Sequence, residues 1–283
     1  MADFDLVRLV GEERRAGTTL ASVSRHWQGD KERFLFVSPH DDDVVLGAGL
    51  LMQLAVSEGV PVHIVIVTNG SMGYCSKGEK TSISAARRNE TYNCYTSLGI
   101  PKENIHWANF PDGSLNIHAG RRFAVQSDLP ECVIAGATGI QNSFTHFIRR
   151  IRPTQCFLPT FNDLHPDHKI TYQELMISLF HASGTIWPEL GDPIAKVPHI
   201  HEMAVYCDFP AAPRLKVASA DSYFEKKLAA VLMFESQKQI ASLVESIRTT
   251  GAVEFFRNVE FNLYNPFKYH QMFDERFHVH SLK

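Results

Sequence analysis

Two short segments of the chain are dense in histidine and aspartate. They are Ser38-Pro39-His40-Asp41-Asp42-Asp43 and His165-Pro166-Asp167-His168. Each segment alone has a purely structural interpretation, because aspartate caps helices and complements the helix dipole, and proline is favoured in a first helical turn. One aspartate suffices for a cap, however, and three adjacent carboxylates repel one another unless a positive charge lies among them. A bound cation would remove that repulsion.

The two segments contain a candidate set of metal ligands. His40 and Asp43, three residues apart, can reach one metal ion, and His168 can complete a set of two imidazoles and one carboxylate. Three protein ligands with an open fourth position are typical of catalytic zinc, whereas structural zinc has four protein ligands. The same set suits non-haem iron. Zn²⁺ is therefore the expected cofactor, with Fe²⁺ or another divalent metal as the alternative.

The other polar residues of the two segments suit proton transfer. Zinc lowers the pKa of a bound water to about 7, and Asp42 is expected to take a proton from that water as general base. His165 is expected either to protonate the leaving group or to stabilise the oxyanion, and Asp167 to orient one of the histidines. The predicted catalytic residues are thus Asp42, His165 and Asp167, and the predicted metal ligands are His40, Asp43 and His168.

Both segments follow predicted β-strands. Residues 33–37 form a short apolar run that ends at the first segment, and residues 156–158 form another just before the second. Residues 44–57 have helical apolar spacing, and residues 62–67 are continuous and β-branched, which completes a βαβ unit. Because the carboxyl ends of parallel strands meet at one edge of a sheet, we expect the two segments to lie together there.

The alternation of helix and strand continues along the chain. Further predicted elements are helices at residues 81–98, 140–151, 170–181 and 221–248 and strands at residues 104–108 and 202–207. This pattern predicts an α/β fold with a mostly parallel sheet. No domain boundary is evident, so residues 1–283 are predicted to form a single domain. Within it, residues 30–180 carry the motifs, and residues 181–283 supply substrate-wall loops and C-terminal helices.

Composition restricts the class of protein. The 28 basic and 31 acidic side chains give a net charge of −3, so no nucleic-acid partner is expected. Residues 1–17 lack a signal-peptide pattern, and the longest apolar stretch, residues 44–52, is about half of what a membrane span needs. Five cysteines without a CxxC pair favour reduced thiols. We expect a cytoplasmic protein without a membrane span, and a homo-oligomer is compatible with the sequence.

The motifs resemble those of the PIG-L/LmbE-like zinc-dependent N-deacetylases, which remove acetyl groups from N-acetylglucosamine-type sugars. The family's Pro-His-x-Asp-Asp motif matches residues 39–43, and its His-x-Asp-His motif matches residues 165–168. Weaker similarities are Thr68-Asn69-Gly70, Arg87 and Glu90 followed by Leu98-Gly99-Ile100, and Phe110-Pro111-Asp112-Gly113. The resemblance covers residues 33–179 well and the last hundred residues poorly.

The resemblance implies a Rossmann-like layered domain with helices on both faces of the sheet, and the same metal and catalytic roles. It also implies that Arg87 and Asp112 bind substrate. Their alternatives are an exposed ion pair of Arg87 with Glu90 and an ordinary turn at Asp112. Two positions depart from the family pattern: Asp41 replaces a proline and is expected to add negative charge beside the metal, and Val44 replaces a glutamate and is expected to pack in the core.

The leading hypothesis is a metal-dependent hydrolase that removes the N-acetyl group from an N-acetylglucosamine-type sugar conjugate, its small-molecule partner. A metal-dependent phosphoesterase and a non-catalytic sugar-binding protein of the same fold are the alternatives. Histidines that alternate within residues 274–280 are interpreted as part of a terminal strand or tail. Several loop residues could form a sugar-binding rim: Tyr74, Asn116, His118, Trp187, His199, His201, Tyr264 and Tyr269.

Overall fold

The computed structural model describes residues 3–273. Within them the chain forms strands in both halves of the sequence. The strands are β1 (Phe4–Val10), β2 (Glu13–Gly17), β3 (Phe34–Ser38), β4 (Val62–Thr68), β5 (Ile105–Phe110), β6 (Arg122–Phe123), β7 (Ala137–Thr138), β8 (Gln155–Pro159), β9 (His199–Met203), β10 (Leu215–Ser219) and β11 (Val253–Val259).

The helices alternate with these strands. They are α1 (Leu20–Val23), α2 (Asp43–Ser57), α3 (Ile83–Ser97), α4 (Ile140–Ile151), α5 (Pro166–Ser183), α6 (Asp221–Val231), α7 (Ile240–Thr250) and α8 (Pro266–Phe273).

Nine strands form one sheet, in the order β2-β1-β10-β11-β9-β8-β3-β4-β5. The five strands from β9 to β5 are parallel, whereas β2, β1, β10 and β11 extend the sheet in antiparallel fashion. The predicted α/β fold is confirmed. Its parallel character holds for the five strands that carry the predicted motifs, and the antiparallel extension was not anticipated.

Helices cover both faces of the sheet, as expected. On β3, Phe34 and Phe36 point into one core with α2, α3, α6 and α7, while Leu35 and Val37 point into a second core with α4 and α5. All five residues of β3 are buried, which is why its sequence is apolar without alternation. Val44 is fully buried in the first core, as predicted.

Three predicted elements are wrong in their bounds. The helix expected at residues 170–181 is α5, which begins four residues earlier at Pro166. The strand expected at residues 202–207 is β9, which begins three residues earlier at His199. The polar residues of β9 obscured this strand in the sequence. Glu202 is fully buried nonetheless, and Arg257 of β11 donates hydrogen bonds to both of its carboxylate oxygens, at 2.6 and 2.8 Å. The helix expected at residues 221–248 is two helices, α6 and α7. The chain turns between them, where Ser236 donates to Glu90 from its backbone N–H and its hydroxyl.

Helix α2 contains a break that the antiparallel half of the molecule stabilises. Ala48 has non-helical backbone angles, φ −145° and ψ 19°. At the break, the carbonyl of Leu46 accepts a hydrogen bond from Lys227 Nζ at 2.7 Å, and the N–H of Leu50 donates to Glu254 Oε1 at 2.8 Å. Lys227 and Glu254 form a buried ion pair of 2.7 Å. This pair satisfies the backbone groups that the break leaves open.

Some expectations concern properties that the fold does not test. The division of the chain into a single domain with a motif-bearing core and substrate walls stays a prediction. The alternating histidines of residues 274–280 lie outside the described residues. Between residues 3 and 273, none of the helices combines the length and the apolar character needed to cross a bilayer.

Candidate active site

The loops after β3 and β8 meet at one edge of the sheet, as predicted. The two strands are parallel neighbours, with Phe34 opposite Gln155. The first loop leads into α2 at Asp43, and the second leads into α5 after His165. Both loops therefore leave the sheet side by side, and the histidine and aspartate segments come into contact.

Three side-chain atoms converge between these loops. His40 Nδ1 lies 3.3 Å from His168 Nε2, and Asp43 Oδ2 lies 3.4 Å from His40 Nδ1 and 3.1 Å from His168 Nε2. Ligand atoms held about 2.0–2.1 Å from a tetrahedral zinc are about 3.3 Å apart, so these separations fit a shared metal ion. The buried Asp43 Oδ1 has no hydrogen-bond partner among the described residues. The nitrogen and oxygen donors suit zinc or iron(II).

A third imidazole lies beside this set. One ring nitrogen each of His40, His165 and His168 fall within 4.8 Å of one another. The ring of His165 is centred 4.6 Å from that of His40. A metal ion bound by His40, Asp43 and His168 would therefore have His165 as an immediate neighbour.

Each of the two converging imidazoles is held from its far side by a carboxylate. His168 Nδ1 lies 3.0 Å from Asp163 Oδ2, and His40 Nε2 lies 3.2 Å from Asp167 Oδ2. Asp167 also accepts a hydrogen bond from the backbone N–H of Gly113, at 2.7 Å. Such outer carboxylates fix the orientation of metal-binding histidines. Sequence reasoning missed Asp163, although it lies in the same loop, two residues before His165.

The charges of this cluster are strongly coupled. Burial alone would raise the pKa of Asp43, but the charges and hydrogen bonds of His168 and His40 hold it well below its usual range. Burial would lower the pKa of His168, but the charge of Asp43 and the bond to Asp163 outweigh it and raise the pKa to about 9.

Asp42 lies in the cleft above the cluster. It occupies the N-cap position of α2 but makes no capping hydrogen bond, so the interpretation of this aspartate as a simple cap is not supported. Its side chain lines a cleft of about 210 Å³ together with His40, Arg87, Asp112 and His165.

His165 is the N-cap residue of α5, and a backbone N–H orients its ring. Its Nδ1 accepts the N–H of Asp167 at 3.2 Å, so the neutral ring carries its proton on Nε2. Burial and the neighbouring His40 and His168 lower the pKa of His165. The ring therefore presents an N–H donor, and it lines the cleft.

Arg87 is buried and paired with aspartates. It is 4% exposed, its Nε donates to Asp41 Oδ2 at 3.0 Å, and its Nη2 donates to the other oxygen of Asp41. The same Nη2 lies 3.4 Å from Asp42 Oδ2. The expectation that Asp41 adds charge beside the metal is wrong, because Arg87 and the hydroxyl of Thr91 bind this carboxylate instead. The alternative pairing of Arg87 with Glu90 is also wrong, since Glu90 binds Ser236.

Asp112 is more than an ordinary turn residue. Its carboxylate accepts hydrogen bonds from the backbone N–H groups of Gly70 and Met72, at 2.9 and 3.1 Å. It therefore fixes the loop after β4 at the mouth of the cleft. Arg87 and Asp112 both line that cleft, and their contact with substrate stays a prediction.

Two further residues at the cleft were missed in the sequence. The ring of Tyr206 is centred 5.2 Å from that of His168, and Gln237 donates to the carbonyl of Gly73 at 3.1 Å. An adjoining cleft of about 350 Å³ extends from Asp42 along α7. Tyr206 belongs to a loop that follows a parallel strand, and the misplaced bounds of β9 concealed this signal.

The suggested sugar-binding rim stays a prediction, because its residues lie outside the lining of the catalytic cleft. None of its eight residues, all within the described part of the chain, lines the cleft that contains Asp42. His199 and His201 lie on β9 and line a different cavity. Trp187 packs against Arg121, and Tyr264 stacks on Tyr269.

Comparison with known proteins identifies related sequences. Residues 35–178 match the sequence model of the family described as PIG-L, GlcNAc-PI de-N-acetylase. A protein of Saccharopolyspora erythraea, 1D-myo-inositol 2-acetamido-2-deoxy-alpha-D-glucopyranoside deacetylase 2, is 25% identical over 233 residues, which cover 72% of this chain and 82% of the relative.

Solved structures share the fold. The N,N'-diacetylchitobiose deacetylase of Pyrococcus horikoshii superimposes with a TM-score of 0.63 at 23% identity, over 81% of this chain and 84% of that one. GalB, the 4-carboxy-2-hydroxymuconate hydratase of Pseudomonas putida KT2440, gives a TM-score of 0.61 at 18% identity, over 83% and 98% of the two chains. Since a hydratase has this fold too, the fold alone does not select the reaction.

Proposed function

Because the chain belongs to the PIG-L family of GlcNAc-PI de-N-acetylases, we propose that it is a metal-dependent hydrolase that removes the N-acetyl group from a small-molecule conjugate of N-acetylglucosamine. The observation that carries this proposal is the convergence of His40 Nδ1, Asp43 Oδ2 and His168 Nε2 within 3.1–3.4 Å of one another. The Saccharopolyspora relative, named as a deacetylase of an inositol-linked acetamido sugar, supports the substrate class.

We assign His40, Asp43 and His168 as ligands of a divalent metal, with zinc the expected ion and iron(II) the alternative. When bound, the metal polarises the acetyl carbonyl as a Lewis acid and lowers the pKa of a water molecule. Asp163 and Asp167 keep the two imidazoles in position through their far ring nitrogens, 3.0 and 3.2 Å away.

The protein's own residues then move the protons. Asp42 takes a proton from the water that attacks the acetyl carbon, and Arg87 Nη2 lies 3.4 Å from Asp42 Oδ2. His165 acts from Nε2, because its Nδ1 is occupied by the N–H of Asp167. Its Nε2–H donates a hydrogen bond to the oxygen that gains negative charge, and the proton that Asp42 removed from the water passes to the departing nitrogen as the C–N bond breaks. Acetate and a free amine leave, which balances the hydrolysis of one amide by one water.

The part of the substrate beyond the sugar is assigned to the cleft along α7. This cleft joins the catalytic cleft at Asp42 and Tyr206. Its wall on α7 combines the polar Ser242 and Ser246 with the apolar Leu243. A mixed wall of this kind suits a polar substituent with an apolar face. Arg87 and Asp112 are proposed to contact the sugar itself.

The test is acetate release by the metal-loaded protein, paired with metal analysis. Candidate substrates are N-acetylglucosamine, its inositol conjugate and N,N'-diacetylchitobiose. We expect one metal per chain, acetate from at least one conjugate, and loss of the metal in His168→Ala but not in His181→Ala, a control on the same helix. The proposal fails if no conjugate yields acetate while His168→Ala keeps its full metal content.

The same samples separate the alternatives. A phosphoesterase would release inorganic phosphate from phosphoester substrates, and a non-catalytic sugar-binding protein would bind the sugar equally well as Asp42→Asn and release no acetate. We expect neither result, because Asp42 makes no capping bond and lines the catalytic cleft.

A further inference from the structure

A second cavity lies at the opposite end of the parallel strands. It has a volume of about 760 Å³ and is lined by Gln155 and His199, the first residues of β8 and β9, and by Arg8 of β1. A five-residue strand spans roughly 15 Å, so this cavity is separate from the active site at the carboxyl ends of the same strands. Its size lies within the range of about 300–1,000 Å³ that small-molecule sites occupy.

The cavity is lined by an excess of positive charge. Arg8, Arg25, Lys196 and Arg214 contribute cations, and Glu260 is the one carboxylate among the lining residues within the described chain. None of the four cations forms a salt bridge with any carboxylate of residues 3–273. The protein as a whole carries a net charge of −3. The local excess is therefore a property of this cavity and not of the overall composition.

Arg8 is the most buried of these cations. It is 7% exposed, and its Nη1 donates to Asn258 Oδ1 at 3.0 Å. Its Nε is buried and has no acceptor between residues 3 and 273. Burial, followed by the charges of Arg25 and Arg15, lowers the pKa of Arg8 to about 10. A buried cation without a counter-charge is costly, and a bound anion would relieve that cost.

The rest of the wall suits an organic group. The rings of His26 and His199 stack with centroids 4.1 Å apart and planes within 5°. His199 Nε2 is buried without a partner in the described residues. Leu9 and Phe261 add apolar surface to the lining. The cavity therefore offers a flat, weakly polar face beside its cations, which a bare inorganic ion would leave unused.

We propose that this cavity binds a small organic molecule that carries a phosphate group, with the phosphate on Arg8, Lys196 and Arg214 and the organic part against the stacked histidines. A phosphate is favoured over a single carboxylate because four cations face one carboxylate in the lining, and a dianion neutralises more of that excess. Arginine also matches the oxygen geometry of phosphate. The site is independent of the proposed deacetylation, since none of its residues lines the catalytic cleft.

The experiment is calorimetric titration of the full-length, metal-loaded protein with inorganic phosphate. We expect saturable binding that weakens at least roughly 10-fold in Arg8→Met and in Lys196→Met, because each removes a charge-assisted hydrogen bond. Lys196 is exposed, so Lys196→Met tests the site even if Arg8→Met folds poorly. Arg150→Met, an exposed arginine of α4, is the control for loss of one charge and should bind phosphate normally.

The metal site is a competing place for phosphate, and His168→Ala identifies it. Binding that persists in His168→Ala but is lost in Arg8→Met or Lys196→Met supports the proposal. Three results would overturn it: no saturable binding of phosphate, equal binding by the wild type and both cavity variants, or binding that disappears in His168→Ala.

Discussion

Buried charges at the carboxyl ends of the parallel strands are paired with groups of opposite charge, whereas a buried charge at the amino ends is not. At the carboxyl ends, Asp43 lies within 3.4 Å of two imidazoles and Asp41 is bound by Arg87. At the amino ends, Arg8 has an amide oxygen as its side-chain partner and no carboxylate among the described residues. Burial of a charged group therefore does not by itself indicate a ligand site. A buried charge without a partner of opposite charge in the protein does.

Histidines at the two ends show the same contrast. The carboxylates around His168 raise its pKa to about 9, while burial and neighbouring cations lower the pKa of His199 to about 4. Both residues lie next to adjacent parallel strands, so position in the fold does not determine their charge. Burial favours the neutral ring of both histidines, but carboxylates face His168 and cations face His199, which makes one end suited to a cation and the other to an anion.

The largest effect is expected at the carboxyl ends of the parallel strands, where the proposed catalytic residues lie. Asp42→Asn removes the proposed general base and should lower the rate of acetate release by about 10²–10⁴. Metal content should stay unchanged, because His40, Asp43 and His168 are intact. Steady-state kinetics and metal analysis check this, with Asp30→Asn, an exposed aspartate that precedes β3, as the control. If the Asp42→Asn variant had normal activity, Asp42 would not be the general base.

Arg87→Met tests whether the charges there are truly paired. The change leaves Asp41 buried without its cation, so the free energy of unfolding should fall by about 3–5 kcal/mol. Urea unfolding followed by circular dichroism measures it. The double variant Asp41→Asn/Arg87→Met should recover part of the loss, because the uncompensated carboxylate is gone. Equal stabilities for the single and double variants would show that the ion pair does not hold the loop.

Asp163→Asn should have a smaller effect that is confined to the metal. An amide in place of the carboxylate 3.0 Å from His168 Nδ1 weakens the orientation of that ring, so metal affinity should fall by about 10–100-fold. Competition with a chromophoric chelator measures the affinity, and Asp192→Asn, an exposed aspartate, provides the control. Unchanged affinity would mean that Asp163 does not act through His168.

The carboxyl end was predictable because its residues are close in sequence. Each predicted segment is a short run after an apolar strand, and one parallel pairing, β3 with β8, brings both runs together. Asp163 was detectable in the same loop. The pairing of Asp41 with Arg87 was not, because the two residues are 46 positions apart and no local pattern links them.

The amino end was hidden for the same reason. Arg8, Lys196 and Arg214 belong to three distant parts of the chain, and only the antiparallel extension through β1, β10 and β11 brings them together. That extension escaped prediction because its strands are half-buried, with polar residues on the exposed face. A buried Glu202 in β9 similarly obscured a central strand, since its partner Arg257 lies on another strand.

The smallest effect on stability should come from Arg8→Met in phosphate-free buffer. Its contrast with Arg87→Met tests whether buried charge is paired at one end of the sheet and unpaired at the other. Removing Arg8 forfeits one hydrogen bond to Asn258 but also relieves a buried charge that has no counter-ion, so the free energy of unfolding should change by less than about 1 kcal/mol. Phosphate at ten times its Kd should then stabilise the wild type by about 1.4 kcal/mol and the variant much less. Urea unfolding with and without phosphate measures both terms. A loss of several kcal/mol without phosphate, matching that of Arg87→Met, would mean that the charge of Arg8 is already compensated and that the two ends of the sheet do not differ.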